Sequence, residues 1–185
     1  MKRNRQLIIH FILLILVASL YRVMPGRPWG FAPQIAMALF AGAVVKDRRV
    51  AFAFPLLSMF LSDLFYQALY VAGLTPIAGF YAGQWENYLL LTSLTVIGFA
   101  MSNLNLGRII GGSIAGPTVY FLVSNFSVWI SGGGYQRPKT FEGLMMCFTD
   151  GIPFYQMSLL STAVFSLILF GTHQLLMKRS LVSAA

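Results

Sequence analysis

Acidic side chains are scarce in this 185-residue chain, which holds five Asp and Glu residues against thirteen Lys and Arg residues. Charged residues of both signs make up only 10% of the sequence, and hydrophobic residues make up 57%. Because a soluble domain is ordinarily about 25% charged, this composition argues against one and predicts an integral membrane protein. The net charge of +8 is typical of topology signals in membrane loops, so we expect no nucleic-acid partner.

Cysteine and recognisable catalytic motifs are also scarce. Cys147 is the single cysteine, so no intramolecular disulfide can form. The sequence contains no His, Cys and acidic residues at metal-ligand spacing, no Gly-x-Ser-x-Gly elbow and no phosphate-binding Gly-rich loop. No nucleophile or base has an orienting partner nearby. The sequence therefore predicts a protein that is not an enzyme and that needs no metal or cofactor.

Several apolar segments approach the length of about 17–25 residues that a helix needs to cross a bilayer. We predict six transmembrane helices, at residues 7–23, 31–45, 50–70, 86–103, 107–131 and 155–177. The second is short. The Gly- and Pro-broken stretches 73–85 and 141–153 are interpreted as interfacial or re-entrant pieces. The expected fold is one all-α transmembrane domain that covers residues 1–185 and lies in the lipid bilayer.

The distribution of basic residues predicts the orientation of this domain. With six crossings both termini lie on one side, which then carries nine basic residues: Lys2, Arg3, Arg5, Lys46, Arg48, Arg49, Arg108, Lys178 and Arg179. The opposite side carries four: Arg22, Arg27, Arg137 and Lys139. The positive-inside rule therefore places both the N and the C terminus in the cytoplasm.

Asp63 lies inside the third segment, where a charge costs about 3 kcal/mol or more and normally faces a protein interior or a cavity. At about 1.5 Å per residue, Asp63 and Asn125 both lie roughly 10 Å below the outer ends of their segments. Two roles stay open for Asp63, a ligand contact or an ion pair with Arg22 that fastens helices. Asn125 likewise either contacts a ligand or bonds a neighbouring helix.

Aromatic side chains accompany these two polar residues. Tyr66 shares a helical face with Asp63, and Trp129 shares one with Asn125. If the faces meet, they form a polar floor with aromatic walls, which is the usual form of a small-molecule site. The outer connections add further candidates: Trp85, Tyr81 and Tyr135. For these loop residues an aromatic belt at the lipid headgroups is the alternative, and the loop at 131–135 is either a lid or a plain turn.

Small residues form flat strips on two of the segments. Gly112 and Gly116 lie on the fifth segment, and Ala38 and Gly42 lie on the second. Such strips let helices approach closely. They serve either packing inside the monomer or docking of another membrane subunit, and both interpretations stay open.

Three motifs carry a resemblance to known proteins. The stretches 31–43 (FAPQIAMALFAGA), 55–63 (PLLSMFLSD) and 124–133 (SNFSVWISGG) resemble a family of small bacterial membrane proteins. That family in turn resembles the substrate-binding S components of energy-coupling factor (ECF) transporters. The resemblance implies a six-helix fold that captures a vitamin or similar micronutrient from outside. It also implies a separate membrane coupling subunit with paired ATPases. Gln34 lies in the first motif and joins the candidate substrate-binding residues.

Two functional hypotheses follow. The first is a multi-pass subunit of the bacterial cytoplasmic (inner) membrane that binds a small aromatic or heterocyclic nutrient for uptake. In it Asp63 and Asn125 bond the polar groups of the substrate and the aromatic residues stack on it. The alternative is a non-transporting scaffold that holds partner proteins through the Gly112, Gly116, Ala38 and Gly42 strips.

Overall fold

The computed structural model describes the backbone of residues 2–182 and the side chains of residues 12–177. The described chain is helical throughout, with seven helices: α1 (Lys2–Val23), α2 (Gln34–Val44), α3 (Arg48–Val71), α4 (Gln84–Ser93), α5 (Thr95–Phe99), α6 (Leu106–Ser131) and α7 (Phe141–Val182). The all-α prediction is confirmed. The side chains of Lys2, Arg3, Arg5, Lys178 and Arg179, which entered the orientation argument, lie outside the described range.

Three helices are long and apolar enough to cross a membrane. They are Arg48–Val71, Leu106–Ser131 and the Phe141–Met177 part of α7. Two shorter apolar helices, Ile12–Val23 and Gln34–Val44, accompany them. The membrane-helix character predicted from composition is therefore present in three long helices, and the full count of six crossings stays a prediction.

Helix α7 differs from the sequence prediction of a separate interfacial or re-entrant piece at 141–153 followed by a helix at 155–177. The structure has one helix of 42 residues that continues through Pro153. Proline removes one backbone donor, but packing against α6 on both sides of it holds the helix together. The ring of Phe121 contacts Phe148 before the proline and Tyr155 after it. At 1.5 Å per residue α7 is roughly 63 Å long, about twice the hydrocarbon thickness of a bilayer.

The segment predicted as one helix at 86–103 is divided in the structure. Helix α4 ends at Ser93, and α5 is a short helix of five residues that ends at Phe99. Residues such as Thr and Gly have weak helix propensity, and this stretch contains Thr92, Thr95 and Gly98. The break lets α5 lie directly against α2.

Helix α2 forms the centre of the molecule. Every residue from Gln34 to Ala43 is buried, and α3, α5, α6 and α7 all pack against it. With 11 residues it is roughly 16 Å long, which is shorter than the hydrocarbon core of a bilayer. The core of the protein is therefore built around a short, fully enclosed helix.

Contacts between helices define their directions. Helices α1 and α3 run parallel, since Ser19 Oγ donates to the Ser58 carbonyl oxygen at 2.9 Å and Arg22, further along α1, contacts Asp63, further along α3. Helices α6 and α7 run antiparallel. The Ser158 hydroxyl of α7 donates to the carbonyl of Gly30, just before α2. One end of the bundle therefore contains the last turns of α1, α3 and α6. The first turns of α2 and α4 and the first half of α7 lie at the same end. We call it the Asp63 end.

The small-residue strips lie inside the molecule. Ala38 is fully buried. A methyl group on Gly42 would overlap the Thr95 carbonyl oxygen and lie 2.9 Å from the Gly98 Cα, so the backbones of α2 and α5 touch there. A methyl group on Gly112 would overlap Met101, and one on Gly116 would lie 3.1–3.3 Å from the side chains of Leu39 and Ile35. These surfaces therefore face the protein's own helices and are not free for a partner subunit.

Substitution of Gly98 by alanine tests this close approach. The added methyl group would press on the Leu39 carbonyl and lie 2.9 Å from the Gly42 Cα. We expect Gly98→Ala to lower the free energy of unfolding by about 1–3 kcal/mol through overpacking, measured by denaturant unfolding in detergent micelles. Gly111→Ala is the matched control, because nothing lies within 4 Å of its methyl position. Equal losses for both variants would contradict the α2–α5 contact.

Candidate functional site

Asp63 is the centre of a buried polar cluster. Its side chain is 2% exposed, and Arg22 of α1 forms an ion pair with its Oδ1 atom. On α4, Gln84 Nε2 donates to Oδ2 at 2.6 Å, and the Tyr88 hydroxyl donates to the same oxygen. Both carboxylate oxygens are therefore engaged, and the contacts join α1, α3 and α4.

Arg22 makes further contacts besides its ion pair with Asp63. Arg22 also donates to Ser62 Oγ at 2.6 Å, and its guanidinium lies 5.7 Å from the centre of the Tyr66 ring. The Tyr66 hydroxyl donates to the Arg22 carbonyl oxygen at 2.8 Å. A buried ion pair is tolerated only when additional hydrogen bonds support it, and the bonds from Arg22 to Ser62 and from Gln84 and Tyr88 to Asp63 give this support. Of the two roles left open for Asp63, the structure shows the one that fastens helices.

The connection between α3 and α4 is packed over this cluster. Gln84 Nε2 also donates to the Gly79 carbonyl oxygen at 2.9 Å, and the Gly79 N–H donates to Gln67 Oε1 at 3.1 Å. A methyl group on Gly79 would overlap the Asp63 backbone carbonyl. Glycine is thus required where the connection covers the carboxylate. The stretch 73–85 was predicted to be an interfacial or re-entrant piece. In the structure residues 73–83 form turns and irregular backbone, and Gln84 and Trp85 begin α4.

A cavity between α6 and α7 is the second feature of the Asp63 end. It has a volume of about 180 Å³ and is partly open to the surroundings. Its walls combine aromatic rings, hydroxyl groups and one amide, from Tyr120, Phe121, Ser124, Asn125, Gly151, Phe154, Tyr155 and Ser158. Aromatic rings combined with a few polar groups resemble the lining of small-molecule sites.

The cavity walls are held in place by specific contacts. The rings of Phe121 and Tyr155 stack with centroids 4.7 Å apart, and the Tyr155 hydroxyl lies 2.8 Å from Thr118 Oγ1. Asn125 Nδ2 donates to the Phe121 carbonyl oxygen at 2.8 Å. The Asn125 amide packs against Gly151, where a methyl group would lie 2.5 Å from Oδ1. Asn125 therefore lies where α6 and α7 approach each other closely.

Asp63 and Asn125 do not meet, although the sequence places them at one level. Helix α4 lies between their clusters and contacts each of them with neighbouring residues. Tyr88 bonds Asp63, whereas Asn87 Oδ1 accepts a hydrogen bond from the Tyr120 hydroxyl at 2.8 Å. The sequence predicted one polar floor formed by both helical faces. In the structure there are two separate features, the polar cluster around Asp63 and the cavity beside Asn125, and α4 contacts both.

Side-chain contacts hold the loop between α6 and α7 against the two helices. Trp129 Nε1 donates to the Pro138 carbonyl at 2.8 Å, and Lys139 Nζ lies 5.3 Å from the centre of the Trp129 ring. Arg137 donates to both oxygens of Asp150 at 2.8 and 2.9 Å, a bond that raises the pKa of Arg137. These contacts fix the two ends of the loop, and both the lid and the turn interpretation of residues 131–135 stay open.

The loop aromatics lie outside the cavity walls. Trp85 is 66% exposed, Tyr81 is 54% exposed and Tyr135 is 77% exposed. The Tyr135 ring lies 5.4 Å from the Arg137 guanidinium. None of the three lines the cavity. Exposed Trp and Tyr at a helix end are typical of the aromatic belt at a membrane interface.

Gln34 differs from Asp63 and Asn125 because its buried amide lacks hydrogen-bond partners. It is 3% exposed, and neither amide atom has a hydrogen-bond partner among the described residues. The fully buried Ser58 has an unpartnered hydroxyl as well. Helices α2 and α3 are joined by a short turn at 45–47. Gln34 and Ser58 are equally far from this turn along the chain. They therefore lie at about the same height along the two neighbouring helices. An unsatisfied buried polar group in a native protein calls for a specific explanation, such as a bound water or ligand.

Sequence reasoning identified Asp63, Asn125 and Gln34 but missed the residues that complete their surroundings. Gln84 and Tyr88 lie on one face of α4 by i, i+4 spacing, and Tyr155 and Ser158 lie on one face of α7 by i, i+3 spacing. These spacings were a usable signal. The Gln84–Tyr88 spacing was obscured because Gln84 fell in the stretch 73–85, which was interpreted as interfacial or re-entrant, whereas it is the first residue of α4.

The comparisons with known proteins identify a family. A model of a family of unknown function, DUF6580, matches residues 2–184. The chain belongs to the DUF6580 family. No curated protein and no solved structure matches the chain. Membership by itself assigns no activity, and it does not link the DUF6580 family to ECF S components.

Removal of the Asp63 carboxylate tests the fastening role. In Asp63→Ala the buried Arg22 loses its counter-charge, and we expect the free energy of unfolding to fall by about 3–5 kcal/mol. The double variant Arg22→Met, Asp63→Leu should recover most of this loss, because it removes both charges. Asp150→Ala breaks the more exposed pair and should change unfolding little. A double variant as unstable as Asp63→Ala would contradict the role of the ion pair.

Replacement of Gln34 by leucine tests the unpartnered amide. Leucine has a similar volume and no polar atoms, so we expect Gln34→Leu to raise the free energy of unfolding by about 1–3 kcal/mol, the usual penalty for an unsatisfied buried group. Thermal unfolding in detergent without added ligand measures this. Gln156→Leu, at an exposed position of α7, is the control. A lower melting temperature for Gln34→Leu would show that the amide is already satisfied.

Proposed function

We propose that this protein is a membrane-embedded subunit that binds a small molecule in the cavity between α6 and α7. The observation that carries the proposal is the convergence, at one end of a helical bundle, of a stacked aromatic pair with several polar groups around a cavity. A concave aromatic site with a few convergent polar groups is the usual form of a small-molecule site.

Each wall of the cavity contributes a different interaction. The Phe121 and Tyr155 rings offer apolar surface to a flat ligand. Asn125 Oδ1 is available as an acceptor, because the bond from this side chain to the backbone uses only Nδ2. The hydroxyls of Ser124 and Ser158 add polar groups at opposite walls. The ligand that fits this set is small, aromatic or heterocyclic, and able to form hydrogen bonds.

The Asp63 cluster supports the cavity from a distance. It fixes α4 through Tyr88 and Gln84, and the adjacent Asn87 holds the hydroxyl of Tyr120 at the cavity wall. In this proposal Asp63 is a positioning residue, and Asn125 contacts the ligand.

The proposed placement in the cell follows from the charge distribution and the resemblance to S components. Six crossings with both termini in the cytoplasm put the Asp63 end on the outer side of a bacterial cytoplasmic membrane, where the cavity would receive a nutrient for uptake. A separate coupling subunit with ATPases would then drive transport. The alternative of a scaffold has less support, because the Gly and Ala strips are occupied inside the molecule.

Native mass spectrometry of the protein purified in mild detergent tests the proposal, followed by solvent extraction of whatever small molecule is bound. We expect one retained molecule per chain, with affinity weakened about tenfold or more in Asn125→Leu, since one hydrogen bond is lost. Ser124→Ala should weaken retention less, and Gln156→Leu should leave it unchanged. A folded, monodisperse wild-type protein without any retained molecule would contradict the proposal and favour a search for protein partners.

A further inference from the structure

The end of the bundle opposite to the Asp63 end carries an excess of positive charge. It contains the last turn of α2, the first turns of α3 and α6, and the short helix α5. Its described basic residues are all exposed: Lys46, Arg48, Arg49 and Arg108. Of the five acidic residues in the chain, only Asp47 lies at this end. Its carboxylate caps α3 by accepting from the backbone N–H groups of Arg49 and Val50, so the basic side chains outnumber their possible counter-charges.

Two of these arginines converge on the end of α5. The guanidinium of Arg48 lies 5.4 Å from the centre of the Phe99 ring. Arg108 Nη1 donates to the carbonyl oxygen of the next residue, Ala100, at 3.3 Å. Neither arginine forms an ion pair with a carboxylate within residues 12–177. Two positive groups from α3 and α6 are therefore held at one short connection without a counter-charge from the described part of the chain.

The contacts that hold the two arginines leave most of their donors available. A guanidinium has five N–H donors, and the bond to Ala100 uses one of those of Arg108. The contact between Arg48 and the Phe99 ring is a cation–π interaction, which is an attraction to the ring face and not a hydrogen bond to an acceptor atom. The planar fork of N–H groups matches the oxygens of a phosphate group. The arrangement therefore suits a phosphate-bearing anion.

Apolar surface adjoins the arginines on both helices. Val50 follows Arg48 by two residues on α3, and Leu106 and Ile110 flank Arg108 on α6; all three apolar side chains are exposed. Helices α3 and α6 are two of the three that are long and apolar enough to cross a membrane. A soluble phosphate would use only the guanidinium groups, whereas a phospholipid would use the apolar surface as well.

We propose that Arg48 and Arg108 bind the phosphate group of an anionic phospholipid whose acyl chains lie along α3 and α6. The lipid supplies the counter-charge that the described chain lacks at this end. Lys46 and Arg49 add to the attraction, since each basic residue near a membrane surface favours anionic headgroups. This lipid site lies at the opposite end of the bundle from the cavity between α6 and α7, and it does not depend on what the cavity binds.

Lipid titration of the full-length protein in a non-ionic detergent, followed by native mass spectrometry, tests the proposal. The probes are phosphatidylglycerol, which is anionic, and phosphatidylcholine with the same acyl chains, which is zwitterionic. We expect tighter retention of phosphatidylglycerol, and a loss of about fivefold in its affinity for each arginine removed in Arg48→Gln, Arg108→Gln and the double variant. Lys139→Gln is the matched control, because it removes one exposed positive charge from the Asp63 end, and it should retain the lipid as the wild-type protein does.

A second double variant, Lys46→Gln with Arg49→Gln, covers the case in which loss of both arginines disturbs folding. It removes two neighbouring charges and keeps the contacts of Arg48 and Arg108 with α5. We expect it to weaken retention of phosphatidylglycerol by a similar factor. Unchanged retention in this variant, together with a double arginine variant that is folded and binds normally or does not fold, would overturn the proposal.

Two other outcomes also overturn the lipid site. Equal retention of phosphatidylglycerol and phosphatidylcholine by the wild-type protein would show that the headgroup charge is not recognised, and the search would then turn to an acidic protein surface. Displacement of phosphatidylglycerol by millimolar inorganic phosphate would assign the arginines to a soluble phosphate. Neither outcome bears on the proposed function, which is tested by retention of a small molecule in the cavity.

Discussion

A carboxylate in the interior of a helical bundle imposes the constraint on which much of this structure depends. Asp63 is almost fully buried, and a charge at such a position is stable only with close partners of opposite charge and further hydrogen bonds. Arg22, Gln84 and Tyr88 supply them from α1 and α4. The requirement therefore determines where three helices lie, and the neighbouring Asn87 extends it to the wall of the cavity through Tyr120.

The second organising feature is the enclosure of α2. Close contact between its backbone and α5 depends on glycine at Gly42 and Gly98, since no larger residue allows such an approach. The enclosed helix is short, and the segment just before it contacts the α7 wall of the cavity through the hydrogen bond from Ser158 to the Gly30 carbonyl oxygen. Gln34, in the first turn of α2, is buried and has no hydrogen-bond partner among the described residues.

Sequence patterns predicted some parts of this arrangement and missed others. Composition and run length were sufficient for the all-α fold and its membrane-helix character, and the cost of a buried charge was sufficient to select Asp63. The rise per residue placed Asp63 and Asn125 at the same depth in the membrane. It contained no information about α4, the helix that lies between them. The interpretation of 141–153 as re-entrant failed because Pro153 was taken as a helix breaker, whereas Phe148 and Tyr155 pack on both sides of it against one ring of α6.

The sequence by itself determined which residues must be enclosed, because hydrophobicity, charge and residue size are local properties of the chain. Those properties select the apolar helices, the aspartate that needs a counter-charge and the glycines that permit close approach. Only the tertiary structure decided which partner each residue has. It paired Asp63 with donors from α1 and α4, turned the small-residue strips inward and brought the Phe121 and Tyr155 rings together between α6 and α7. Such pairings depend on how distant segments are oriented in space, and periodicity along the chain does not contain that orientation.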